Sequence, residues 1–193
     1  MNLKFFSKRK SLYLLAMISL AMVVLLSVSG ISEASSISRE YTIKASLIMK
    51  FTDFITFPKA RASGTDNSEY NLCLLGGNPF GNIFSQAKKE GILKKNFYIH
   101  ERNSDLALKK CNIIFLAGRD TSALNKTLKI LGGRPALVIT ESEGFAQLGS
   151  GINFVVKNNK IKFEINRSAL KKKGIDVSSY LLNIAILVDG SVQ

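Results

Sequence analysis

The sequence predicts an α/β domain: a mixed, largely parallel sheet flanked by helices on both faces, with a C-terminal antiparallel hairpin. Three observations predict it. Apolar runs of strand length alternate with amphipathic stretches through residues 70–140, a pattern that calls for parallel strands joined by crossover helices. Near the C-terminus two alternating runs meet at an Asn-Asn pair, the mark of a tight hairpin turn. In a chain of 193 residues, 46% hydrophobic against 21% charged residues suits one core rather than two.

The N-terminus stands apart from that core. Lys4, Lys8, Arg9 and Lys10 precede SLYLLAMISLAMVVLLSV, residues 11–28, which carries no charge. A basic start before an apolar run is an export signal. Cleavage after Ala34 (SEA) fits the small-x-small rule better than cleavage after Gly30 (VSG), and the run is also just long enough to stay as an anchor. Residues 1–34 are therefore expected to be a signal peptide or N-terminal membrane anchor, and residues 35–193 a single domain held outside the cytoplasm. Of the 27 basic and 14 acidic residues, four and one fall in residues 1–34, which leaves the exported part at +10. In that compartment the anions open to a basic surface are lipid head groups, cell-wall polymers and acidic protein faces, not nucleic acid.

In REYTIKASLIMKFTDFITFP, residues 39–58, Ile43, Leu47, Phe51 and Phe54 step by four, four and three, with Ile48 and Ile55 on the same arc. That spacing predicts an amphipathic helix ended by Pro58. Lys44 falls inside the apolar arc, where its stem is expected to line the core edge and its ammonium to reach water. ARASGTDNSE, residues 60–69, reads as a polar loop. Strand 70–75, helix 79–90, strands 96–101 and 111–117, helix 121–131 and strand 136–140 follow.

The stretch YNLCLLGGNPFG, residues 70–81, raises the question of a phosphate-cradling loop. Its glycines do not match G-x-G-x-x-G, and the Lys-Ser/Thr of a phosphate loop is missing. Asn78 as N-cap and Pro79 at the first helical position explain it as a strand-to-helix corner. In INFVVKNNKIKFEINR the turn at Asn158-Asn159 sets Phe154 opposite Phe163, Val156 opposite Ile161 and Ile152 opposite Ile165 on one face. Asn153 falls opposite Glu164 on the other face, a polar pair read as solvent-facing. Residues 168–173 and 178–188 read as closing helices, the second apolar enough to pack on the sheet.

No constellation of residues argues for catalysis. His100 is the only histidine, H-E-x-x-H and G-x-S-x-G are absent, and the acidic residues are scattered. Neither an enzyme nor a cofactor or metal site is expected, and His100 reads as a structural residue. Cys73 and Cys111 are not in a C-x-x-C; two cysteines in an oxidising compartment, on strands that a doubly wound order can make neighbours, are expected to form a disulfide. A redox-sensing role is the sharper reading of the same bond.

The ordered set YTIKASLIMKFTDFITFP, LGGNPFG, CNIIFLAG, GINFVVKNNKIKFEIN and SSYLLNIA resembles the YfiR-like family of periplasmic regulators over residues 40–188. The family's tryptophan before the proline is replaced by Phe57 before Pro58, and a second cysteine pair seen in some relatives is absent, so only Cys73–Cys111 carries over. The resemblance implies an exported protein that binds the periplasmic sensor part of a membrane-bound diguanylate cyclase and represses it, lowering cyclic di-GMP and biofilm formation. An outer-membrane or cell-wall-associated protein and a second copy of the chain are further partners it leaves open. Phe57, Pro58 and Phe80, taken as exposed apolar residues, and Glu164 and Asn166 on the polar hairpin face are the candidate contacts; plain core packing is the competing reading of Phe57 and Phe80, because aromatics next to helix ends usually bury. The competing reading is a solute-binding module, with a crevice near Gly76–Asn78 and Gly118–Arg119 for a small anionic or aromatic ligand.

Overall fold

A computed structural model describes residues 31–58, 69–101 and 108–190. The apolar run of the expected signal segment and most of the polar loop at 60–69 lie outside the described residues. Two compact units, Met1–Arg39 and Glu40–Gln193, divide the chain. Of the first, only the helical residues 31–39 are described; the sheet and its cores belong to the second.

Helix α1 (Ile31–Phe51) stops before the predicted end at Pro58. The Thr52 hydroxyl donates to the Met49 carbonyl at 2.7 Å, competing with the helical pattern, and a turn follows in which Phe54 N–H donates to Phe51 O at 3.0 Å. Ile55 and Thr56, β-branched and close to Pro58, then form the short strand β1, paired antiparallel with β8 (Asp176–Val177).

The main sheet contains β2 (Tyr70–Leu75), β3 (Phe97–His100), β4 (Ile113–Leu116), β5 (Leu137–Thr140), β6 (Ile152–Lys157), β7 (Lys160–Asn166) and β9 (Ile186–Val188), in the order β3-β2-β4-β5-β6-β7-β9. The pairs from β3 to β6 are parallel, β6–β7 is antiparallel, and β9 joins β7 in parallel. The central strands are buried on both sides, as a parallel sheet covered by helices requires. Leu72, Leu74, Ile113, Phe115, Leu137 and Ile139 point to one core with α1 and Phe84 of α2 (Ile83–Lys89). Cys73, Leu75, Ile114, Leu116 and Val138 point to the other with Leu124 and Leu131 of α3 (Thr121–Leu131). This alternation is the strand period read directly.

The hairpin register is the predicted one, including Phe154↔Phe163 and Asn153↔Glu164. Asn158 and Asn159 turn the chain at φ +51 and +56. Two helices differ from expectation. α2 begins at Ile83 rather than Pro79, because Gly81 takes φ +53 and breaks the helical path; its N-cap is Asn82, not Asn78. The predicted helix 178–188 splits into α5 (Ser179–Ile184) and β9, after α4 (Arg167–Lys172). Ala185 is extended (φ −88°, ψ 161°), and the β-branched Ile186 and Val188 satisfy the edge of β7. Among the described residues no helix is long and apolar enough to cross a membrane.

Candidate functional site

In an open parallel sheet the place for a ligand is the crevice beyond the strand C-termini. Here β2 ends at Gly76-Gly77, β4 at Ala117-Gly118 and β5 at Glu141. Gly76 has φ +77, and a Cβ there would stand 2.5 Å from the Ala117 carbonyl oxygen. Its glycine is demanded by the neighbouring strand end. Gly118 is engaged on both sides: its N–H donates to Glu141 Oε1 (3.4 Å) and its carbonyl accepts from Ser142 Oγ (2.7 Å). Asn78 accepts from Phe80 N–H at 3.0 Å and donates to the Gly81 carbonyl and to Glu101. GGNPFG is thus a structural corner.

Helix α1 covers this end of the sheet. Lys44 Nζ lies 2.7 Å from Glu141 Oε2, also pairs with Glu40, and sits 4.7 Å over the Tyr41 ring. Tyr41 OH donates to Glu141 Oε1 at 3.1 Å. Burial, then the Glu141 charge and hydrogen bond, push the Tyr41 hydroxyl up to about 12. Lys44 does not reach water as its stem length suggests: it is 4% exposed, because Glu141 waits at the strand end. The Gly118 N–H that an anionic solute would use here faces Glu141 instead.

The predicted disulfide is present. Cys73 and Cys111 are bonded, with a Cα separation of 5.9 Å, and both are buried in the core beside α3. His100 Nε2 lies 2.9 Å from Asn71 Oδ1, a structural hydrogen bond. Among the described residues no group of His, Cys, Asp and Glu can hold a metal ion.

The predicted contact residues separate into two groups. Phe80 is not exposed: it packs edge-on against Tyr41, Phe84 and Phe115 at centroid distances of 5.5, 5.0 and 4.7 Å. Glu164 is buried too, accepting from Asn153 Nδ2 at 2.9 Å, while Asn153 Oδ1 accepts from Thr140 Oγ1 (2.8 Å) and Ser142 N–H (3.1 Å). The segment between β5 and β6 covers a hairpin face that alternation alone leaves in solvent. Asn166 caps α4 by accepting from Ala169 N–H at 2.9 Å and donates to the Ala146 carbonyl at 2.8 Å. These three side chains hold the fold and offer no open surface.

Phe57 and Pro58 remain, half-buried and exposed respectively, just after β1. Phe57 turns to Tyr70, with ring centroids 6.5 Å apart; on the other side of β1 lie two aromatics that sequence reasoning misses as contacts. Phe54 stacks on Tyr180 with centroids 5.2 Å apart, and Tyr180 is 63% exposed. Ser178 N–H donates to Phe54 O at 2.9 Å, fastening the start of α5 to this strip. The Ser178 N-cap, which accepts from Leu181 N–H, is the signal available: it puts Tyr180 in the first helical turn, away from the inward Leu181.

A family model described as YfiR/HmsC-like matches residues 41–186. No curated protein matches the chain. Among solved structures the chain is similar to one titled "The Crystal Structure of the ABC domain in complex with L-Trp from Streptococcus pneumonia", at 10% identity and a TM-score of 0.48, over 62% of this chain. The match spans 55% of that chain's length, and a likeness this distant carries no argument about ligand or function.

Proposed function

The chain belongs to the YfiR/HmsC-like family of periplasmic regulators of diguanylate cyclases, and we propose that it binds the periplasmic part of one such membrane enzyme and represses it. The observation that carries this reading is the family match, which runs from Tyr41 in α1 to Ile186 at the start of β9 and so includes the sheet from β2 to β7 and the β1–β8 ribbon. Two features support it. The crevice of the sheet is occupied by the chain's own Tyr41, Lys44 and Glu141, and the ends of β1, with Tyr180 stacked on Phe54 and the half-buried Phe57 next to the exposed Pro58, present aromatic surface of the kind that anchors protein interfaces.

Repression follows from differential affinity. A regulator that binds the inactive conformation of a sensor more tightly than the active one shifts that equilibrium by the ratio of the two affinities and no further. Moving it from 1:99 to 99:1 requires about a 10⁴-fold preference. A buried aromatic strip in contact with one sensor conformation supplies such discrimination more readily than exposed charge pairs do.

The test is cellular cyclic di-GMP in a deletion strain against wild type, with a plasmid-borne copy restoring the protein. The proposal expects a rise on deletion that the wild-type copy reverses and that a copy carrying Phe57→Asp and Tyr180→Asp does not. An unchanged level under several growth conditions rejects it.

A further inference from the structure

The β6–β7 hairpin runs past the sheet that holds it. β6 pairs with β5 only at Ile152 and Asn153, and β7 pairs with β9 only at Glu164, Ile165 and Asn166. Phe154 and Phe163 still pack on Phe51 of α1 and Ile161 touches the same core, but as strands residues 155–162 pair only with each other. At about 3.3 Å per residue this makes a finger that projects on the order of 10 Å.

The finger is built against its own stability. Alternation places Val155, Lys157, Lys160 and Lys162 on one face, and Lys157 stands directly opposite Lys160. Like charges in that position repel. Among the described residues none of the ion pairs engages these three lysines. On the other face Val156 is 58% exposed. Lys157, Asn158, Lys160 and Lys162 together with Ile184 and Ile186 line a groove of about 440 Å³, and Ile184 is 54% exposed. No contact within the fold accounts for a repelling lysine pair beside exposed aliphatic side chains.

The chemistry of the tip distinguishes its occupant. Protein interfaces gather Trp, Tyr and Arg and are poor in Lys. Residues 155–162, VVKNNKIK, contain three lysines and three aliphatics, with no aromatic and no arginine. Flexible ammonium groups around a polar turn with an exposed valine beside it match an anionic head-group layer, where lysines meet phosphates and aliphatic side chains enter the interface. We propose that the β6–β7 finger docks tip-first on an anionic phospholipid surface, with Lys157, Lys160 and Lys162 at the head groups and Val156 in the interfacial layer. The inference does not rest on the assignment of a cyclase.

The chain contains no tryptophan, so a Val156→Trp variant places a single emitter at the tip. The N-terminal segment is common to all proteins compared and is remote in sequence from that reporter. Emission should shift to the blue with vesicles containing phosphatidylglycerol and stay unchanged with phosphatidylcholine alone. Lys157→Glu, Lys160→Glu and Lys162→Glu in that background should raise the lipid concentration at half-shift at least about a hundredfold, roughly fivefold for each positive charge lost. The corresponding Lys→Gln variant should move it in the same direction and serves if the glutamate variant does not fold. Lys89→Glu, Lys95→Glu and Lys109→Glu, with the net charge change of the glutamate finger variant, should move it by no more than about threefold, since screening confines the effect to nearby charge. No blue shift with anionic vesicles, an equal shift with neutral ones, or equal losses in the two glutamate variants would overturn the proposal. So would binding of polyglutamate by the finger without any response to vesicles, which would assign it to an acidic protein.

Discussion

Replacing Lys44 by methionine tests the buried contact that seats α1 on the sheet. Methionine keeps the apolar stem and removes the ammonium. Glu40, 36% exposed, then loses little, because water replaces its partner. Glu141 does not have that route: its side chain is 9% exposed, and its remaining bonds are neutral ones from Tyr41 OH and Gly118 N–H. An uncompensated buried carboxylate of this kind costs about 3–5 kcal/mol, and the lower end suits a group not wholly enclosed. For a domain of this size about 3 kcal/mol corresponds to a fall in Tm of roughly 6–12 °C. Adding Glu141→Gln should restore all but about 1 kcal/mol, since the amide oxygen still accepts from Tyr41 and Gly118 while the charge is gone. Urea unfolding followed by far-UV circular dichroism, run as a double-mutant cycle, reads both numbers. A loss below about 1 kcal/mol for Lys44→Met would refute the reasoning, as would a double variant whose losses simply add.

Three further outcomes rest on the geometry. Removing the disulfide with Cys73→Ala and Cys111→Ala releases a link across 38 residues and should cost about 4 kcal/mol in the chain-entropy model, measured by denaturant unfolding of both forms. Gly76→Ala should cost at least about 2 kcal/mol, because φ is +77 and the added Cβ meets the Ala117 carbonyl, whereas Gly77→Ala, with open space around it, should cost about 1 kcal/mol. The Tyr41 hydroxyl titrates near 12 in the fold against an ordinary 10.0; between those values the unfolded chain has lost the proton and the folded one keeps it, so stability is intact below pH 10 and falls as pH rises toward 12. Tyr41→Phe should lack that component of the alkaline loss in a pH series of melting curves.

The centre of the sheet is legible in the sequence because β2, β4 and β5 are apolar runs buried on both faces and each crossover helix has its own period. The hairpin is legible residue by residue, since an Asn-Asn turn allows one register that buries Phe154 with Phe163. Helix ends are less so. Ile55 continues the apolar arc of α1, yet a Thr52 side-chain hydrogen bond and the pairing of Thr56 with Asp176 take the chain into a strand. Three of the candidate contacts are buried rather than exposed, for a related reason. Glu164 and Asn166 lie opposite the apolar hairpin face, which in an isolated hairpin is the solvent side; the segment at 141–150 closes over them, a packing that no local pattern encodes. Phe80 at a helix start reads either as a contact or as core packing, and the turn at Gly81 directs it into the core. Tyr180 is hidden inside a predicted helix that runs four residues too far at its C-terminal end, which conceals its place in an exposed first turn.

The central claim is repression by contact from outside the membrane, and the most direct measurement is the rate of cyclic di-GMP synthesis by the membrane-bound cyclase in spheroplasts of the deletion strain, with purified protein added to the exterior. The account predicts a saturable fall in rate with the wild-type protein and none with the Phe57→Asp, Tyr180→Asp variant at the same concentration. A rate unchanged by saturating wild-type protein would contradict it.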